Sequence, residues 1–186
     1  MKYLLALCLL IYKPVTFALP LISEYEQPYE IHGSTAEQLR DQMNQVRPLM
    51  HGEKFDADTE WNLKWSFDYQ PDDNSCVIRD SQVTLDIIYH LPRWEDEERS
   101  DPKLQERWAV YMKHLLIHES GHAKNGKKAA MEVEAMLKDL APMESCSLLE
   151  EMANDRARQI IDSHHSWDLQ YDKETQHGVT QGAVFP

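Results

Sequence analysis

Positive charge is scarce in this sequence. Its 186 residues hold 19 Lys and Arg against 32 Asp and Glu, for a formal charge of −13. Partners bound through phosphate need clustered Lys and Arg, so nucleic acid and anionic membrane are set aside. Long hydrophobic runs are scarce too. The most apolar stretch, residues 3–12, is too short to span a bilayer and is cut off by Lys13 and Pro14. No later segment is apolar for long enough, so the mature chain is expected to have no membrane span. Repeats and long low-complexity tracts are missing, which leaves an ordinary globular chain. Cysteine occurs only three times.

The first 18 residues read as a leader. Lys2 gives a short positive start, the apolar stretch follows, and Thr16-Phe17-Ala18 offers small residues around a cleavage point. A secretory signal peptide over 1–18 predicts export, to the periplasm or beyond. Residues 19–186 then form a single domain, a length that suits one core. Cleavage removes Lys2, Lys13 and Cys8, so the mature chain is more acidic still and keeps Cys76 and Cys146. In an oxidising compartment these two are expected to pair. Such a bridge closes a loop of about 70 residues and contributes roughly 4 kcal/mol in the loop-entropy account.

What is there centres on His118-Glu119-Ser120-Gly121-His122. This is the His-Glu-x-x-His pattern of zinc hydrolases. Positions i and i+4 share a helix face, so both imidazoles can meet one zinc ion. Glu119 sits one position round, placed to act as general base on a metal-activated water. The flanks agree. Asp101-Pro102 is a helix start, and Leu104, Trp108, Tyr111, Leu115, His118 and His122 follow at three- or four-residue steps. The histidines therefore continue the stripe that packs on the domain. Despite Gly121 and Gly126, the helix is expected to run on towards Pro142, with a possible kink.

Catalytic zinc needs a third protein ligand. The extended metzincin pattern fails, because Asn125 and Lys128 stand where Gly and His would be required. The polar stretch 171–178 reads as an irregular tail rich in donors. His177 is ranked first as third ligand, beside the flexible Gly178. Asp172 is ranked second, and Glu144, Glu150 or Glu151 follow. Tyr171 is a candidate to hydrogen-bond the oxyanion of a tetrahedral intermediate. His164 and His165 receive no role.

The N-terminal half reads as a sheet. Tyr29 to His32 suggests a short strand after a loose segment, 19–28. Ser34 opens a helix carrying Leu39 and Met43, with Pro48 beyond its end. Trp61, Leu63, Trp65, Phe67 and Tyr69 alternate with polar residues, and Val83, Leu85, Ile87, Tyr89 and Leu91 do the same. With a turn at Pro71-Asp72-Asp73-Asn74, the two runs predict an antiparallel hairpin whose aromatic stripe packs on a helix. Asp86 and His90 face the other way and receive no function. Glu95 to Arg99 is a charged connector. Ser147 and Glu150 cap a last helix through Ile160 and Ile161 to about His164. The fold class is α+β: a small antiparallel sheet on a long helix bearing the motif, then a C-terminal helical part.

The pattern as a whole resembles a bacterial family described as predicted secreted zinc-dependent proteases, the domain-of-unknown-function family 922. The resemblance rests on Tyr29-Glu30-Ile31 with Gly33-Ser34-Thr35, Phe55-Asp56-Ala57 with Thr59 and Trp61, Cys76, and Leu91-Pro92-Arg93-Trp94. It continues through the His118 to His122 motif, Cys146, Tyr171-Asp172, Thr175, His177-Gly178 and Gly182-Ala183. It implies a zincin-like layout. The expected function is a periplasmic or secreted zinc peptidase acting on peptide or protein substrates, with His118, His122 and His177 on zinc and Glu119 and Tyr171 in catalysis. The alternatives are a non-catalytic, zinc-stabilised envelope binding protein and a cell-wall amidase.

Overall fold

The computed structural model describes residues 19–47 and 55–185. The expected leader, residues 1–18, and Pro48 lie outside them. The element order is β1 (Leu21–Glu26), β2 (Tyr29–Ile31), α1 (Ala36–Val46), β3 (Asp58–Asp72), β4 (Ser75–His90), β5 (Pro92–Trp94), α2 (Pro102–Asp139) and α3 (Cys146–Thr175). Short 3₁₀ turns precede α2 and follow α3. The fold is α+β.

The two alternating runs form the antiparallel hairpin β3–β4, turning over Asp73 and Asn74 rather than the four residues expected. Trp61 is buried on its inner face with Val83, Leu85 and Ile87, as the aromatic stripe implied. The sheet gains a strand the sequence reading missed. Residues 21–26 are not loose: β1 lies parallel along β4, so the sheet is mixed, in the order β1-β4-β3. All six β1 residues are exposed. Polar ties hold the strand: Ser23 bonds Asp86, and Lys127 on α2 pairs with Glu24 at 2.7 Å. A second, two-stranded sheet pairs β2 with β5.

Caps set the helix starts. Thr35, not Ser34, caps α1, accepting from Gln38 N at 3.2 Å, while Gln38 Oε1 accepts from Ser34 N at 2.8 Å. Asp101 caps α2, with Pro102 in the first turn as expected. The α3 cap is Ser145, two residues before the expected Ser147. Helix α2 runs unbroken through both glycines, and each has a physical reason. A Cβ on Gly126 would lie 2.7 Å from Trp61 Cγ, and one on Gly121 would lie 2.6 Å from Tyr171 Cζ. Both mark places where a ring presses on the helix. Cys76 and Cys146 are bonded, so the outer end of the hairpin is tied to the first residue of α3.

Two cores meet along α2. Its first half, with Leu104, Trp108, Tyr111 and Leu115, packs on Ile31, Leu39, Met43, Trp94 and Phe185. Its second half, with Ala129, Ala130, Val133 and Leu137, packs on the hairpin and on Leu149, Ala153 and Ala157 of α3. The motif histidines fall at the seam between them.

Candidate metal centre

Helix α3 is longer than its apolar pattern. It continues past His164 to Thr175, so residues 171–175 are helical rather than an irregular tail. The reason lies in what its last turns face. Asp168, Tyr171, Asp172 and Thr175 are spaced by three, four and seven residues, which puts them on one side. That side meets the His118–His122 face of α2. The periodicity persists, but polar side chains fill it.

This brings three donors together. His118 Nε2 lies 3.1 Å and His122 Nε2 3.0 Å from the same Asp172 Oδ1. The far ring nitrogens are occupied. His118 Nδ1 stands 3.0 Å from Gln181 Oε1, and His122 Nδ1 stands 2.9 Å from Asp168 Oδ1. Gln181 is itself oriented by its Nε2, which donates to Tyr171 Oη at 2.9 Å. Asp168 is oriented by Trp61, whose indole N–H donates to Oδ2 at 2.8 Å. A carboxylate or amide oxygen can only accept, so each Nδ1 carries the proton. In a neutral ring, each Nε2 is then a lone pair.

Two lone pairs and a carboxylate oxygen thus converge on one point. Without a cation the arrangement is repulsive; with one it is a ligand set. Two imidazoles and one carboxylate suit zinc, each ring being held from behind by a hydrogen bond. The separations of 3.0 and 3.1 Å are near the roughly 3.3 Å donor–donor edge of a tetrahedral site with zinc bond lengths. These residues fit a metal ion. In the metal-free protein, protons must answer the same convergence. Burial pulls the His122 imidazole down, but its bonds to Asp168 and Asp172 outweigh this and raise it to about 10. Burial pushes the Asp172 carboxyl up, yet bonds to His118 and His122 hold it well below the usual carboxylate range.

His177 does not join the trio. Its ring stacks on Phe55 at 4.1 Å between centroids, its side chain is 44% exposed, and Nδ1 is 3.5 Å from Asp172 Oδ1. It flanks Asp172 instead of replacing it. Gly178 serves a different contact from the one expected: in a left-handed conformation (φ 86°), it lets the chain pass His118, whose Cβ would be 3.1 Å from an added Cβ. Glu144, Glu150 and Glu151 lie before and within the first turns of α3, far in sequence from its metal-facing end.

Glu119 is 2% exposed, and its Oε2 accepts from Thr59 Oγ1 at 2.6 Å. Burial raises its carboxyl to about 6, against the opposing pull of the Thr59 bond and the two imidazoles. Sequence reasoning assigned no supporting role to Thr59, Asp168 or Gln181. The spacing of Asp168 one turn before Asp172 could have found that one. Tyr171 is not placed for an oxyanion. Its ring stacks on His118, its hydroxyl donates to His118 O at 3.3 Å, and it does not line the cleft. His164 ties the helices through Asn125, and His165 packs on Trp61. The cleft itself has a volume of about 1100 Å³ and is walled by β3 and α3, with His118, Glu119, His122 and Asp172 at its base.

A family model described as "Bacterial protein of unknown function (DUF922)" matches residues 26–178. The chain belongs to this family. The matched region contains the trio, Glu119 and both bonded cysteines, while Gln181 lies just beyond it. No curated protein and no solved structure matches the chain.

Proposed function

We propose that the chain is a zinc-dependent peptidase of the bacterial cell envelope. The observation that carries this reading is the convergence of His118, His122 and Asp172 beside a buried, Thr59-held Glu119 at the base of an open cleft. His118, His122 and Asp172 would hold the metal. Bound zinc supplies Lewis acidity, which polarises an amide carbonyl and makes water easier to deprotonate. Glu119 takes the proton from the attacking water and passes it to the leaving amine. Its carboxyl, raised to about 6 by burial, suits both steps near neutral pH. The Trp61–Asp168–His122 and Tyr171–Gln181–His118 chains hold the two rings in the tautomer that turns Nε2 inward. The open cleft suits a peptide or protein substrate. Export is supported by the leader in the sequence and by the Cys76–Cys146 bond.

The test is Glu119→Gln in the mature, zinc-loaded protein, assayed on casein and a peptide library. The expected result is full zinc occupancy with hydrolysis reduced about 10²–10⁴-fold. Unchanged hydrolysis would overturn the role of Glu119. Zinc in both proteins but cleavage by neither, with peptidoglycan also intact, would leave a metal-stabilised binding protein.

A further inference from the structure

Asp58, Glu60 and His90 form a second convergence of donors, on the face of the sheet turned away from α2. Asp58 and Glu60 are two apart on β3 and so share a face, while His90 is the direct cross-strand partner of Asp58. One oxygen or nitrogen from each of the three lies within 4.8 Å of the others. The pairing of β3 with β4 presets this geometry, since two positions i and i+2 plus a cross-strand neighbour make a triangle of donors on rigid backbone. Among the described residues, His90 Nε2 is buried without a hydrogen-bond partner, and it lies 3.9 Å from Glu60 Oε1. A buried ring nitrogen left without a bond is costly unless something else binds it.

We propose that Asp58, Glu60 and His90 bind a second divalent cation, separate from the His118–His122–Asp172 centre. Two carboxylates would balance its charge, and the imidazole favours zinc over calcium. The site has a positioning role. Thr59 lies between the two acidic ligands, points to the opposite face and bonds Glu119. A cation clamping 58, 60 and 90 fixes the stretch of β3 that holds Glu119. This role in positioning rests on the peptidase reading; the binding itself does not.

The experiment counts zinc in the full mature protein, stripped and then titrated with zinc ion alone. Wild type is expected to take up two per chain. Glu60→Gln, a near-isosteric change at a partly exposed residue, is expected to take up one, as is Asp172→Asn. The Glu60→Gln and Asp172→Asn double variant is expected to take up none. His90→Ala, checked for native circular dichroism, repeats the Glu60→Gln result by another route. One zinc in wild type that survives Glu60→Gln overturns the proposal, as do two zincs in both wild type and Glu60→Gln. If Asp172→Asn alone keeps every zinc while Glu60→Gln loses one, the second site stands and the first fails.

Discussion

The two halves of α3 obey the same spacing and carry opposite chemistry. From Leu149 to Ala157 the inward face is small and aliphatic, packed on Val133, Leu137 and the hairpin. From Asp168 to Thr175 the same face presents carboxylates, a phenol and a hydroxyl to the two histidines of α2. The first half is stabilised by removing apolar surface from water. The second half buries groups that are tolerable only because each finds a partner. A helix can thus be one rigid rod with a packing end and a chemical end, and damage to the two ends should read out differently.

The largest effect is expected at the chemical end. Asp172→Ala removes the oxygen on which both imidazoles converge, so zinc in the trio should be lost altogether while the far-ultraviolet circular dichroism stays native. Metal analysis after dialysis checks this. At the packing end, Leu149→Ala should lower the unfolding free energy by about 2–5 kcal/mol, as for other fully buried leucines, with no change in zinc content. Urea denaturation of the disulfide-intact protein measures it. An Asp172→Ala variant that unfolds, or a Leu149→Ala variant that drops its zinc, would erase the distinction between the two ends.

Smaller changes sharpen the comparison. Asp168→Asn replaces the carboxylate behind His122 and should weaken zinc binding about 10–100-fold, measured by competition with a chromogenic chelator. Proton linkage follows from the raised His122 value of about 10. At neutral pH the metal-free ring is protonated, so zinc must expel a proton on entry. Apparent affinity should therefore fall about tenfold for each unit of acidification, with proton release visible by calorimetry in buffers of differing ionisation heat. Tyr171→Phe keeps the ring stacked on His118 and loses only its hydroxyl bonds. It should cost about 1 kcal/mol or less and, because Tyr171 Oη orients Gln181 behind His118, weaken zinc binding by less than Asp168→Asn does. A large fall in turnover with unchanged zinc would return Tyr171 to the reacting atoms.

The same contrast explains what could be read before the structure. The hairpin, the capped start of α2 and the first half of α3 are written in apolar periodicity, which sequence reports directly. The last three turns of α3 carry that periodicity in Asp168, Tyr171, Asp172 and Thr175, and polarity makes a helix look like a loop. Ranking His177 above Asp172 follows from that misreading, because an irregular tail can bring any donor inward whereas a helix admits only those on its inner face. Strand β1 was hidden for a related reason: its residues are exposed, and Ser23 and Glu24 rather than an apolar stripe attach it. Thr59 sits on the sheet in register with Tyr89, and its meeting with Glu119 is a tertiary fact with no local signature.

The seam position of the trio has a consequence for the order of events in a new chain. His118 and His122 stand where one core ends and the next begins, and Asp172 arrives from the far end of a helix anchored in only one of them. A nascent chain that has emerged as far as residue 165 already has both histidines and Glu119, yet lacks the oxygen that completes the set. Docking of α3 must come before the centre exists. The proposed hydrolase therefore has no complete metal site until that docking has happened.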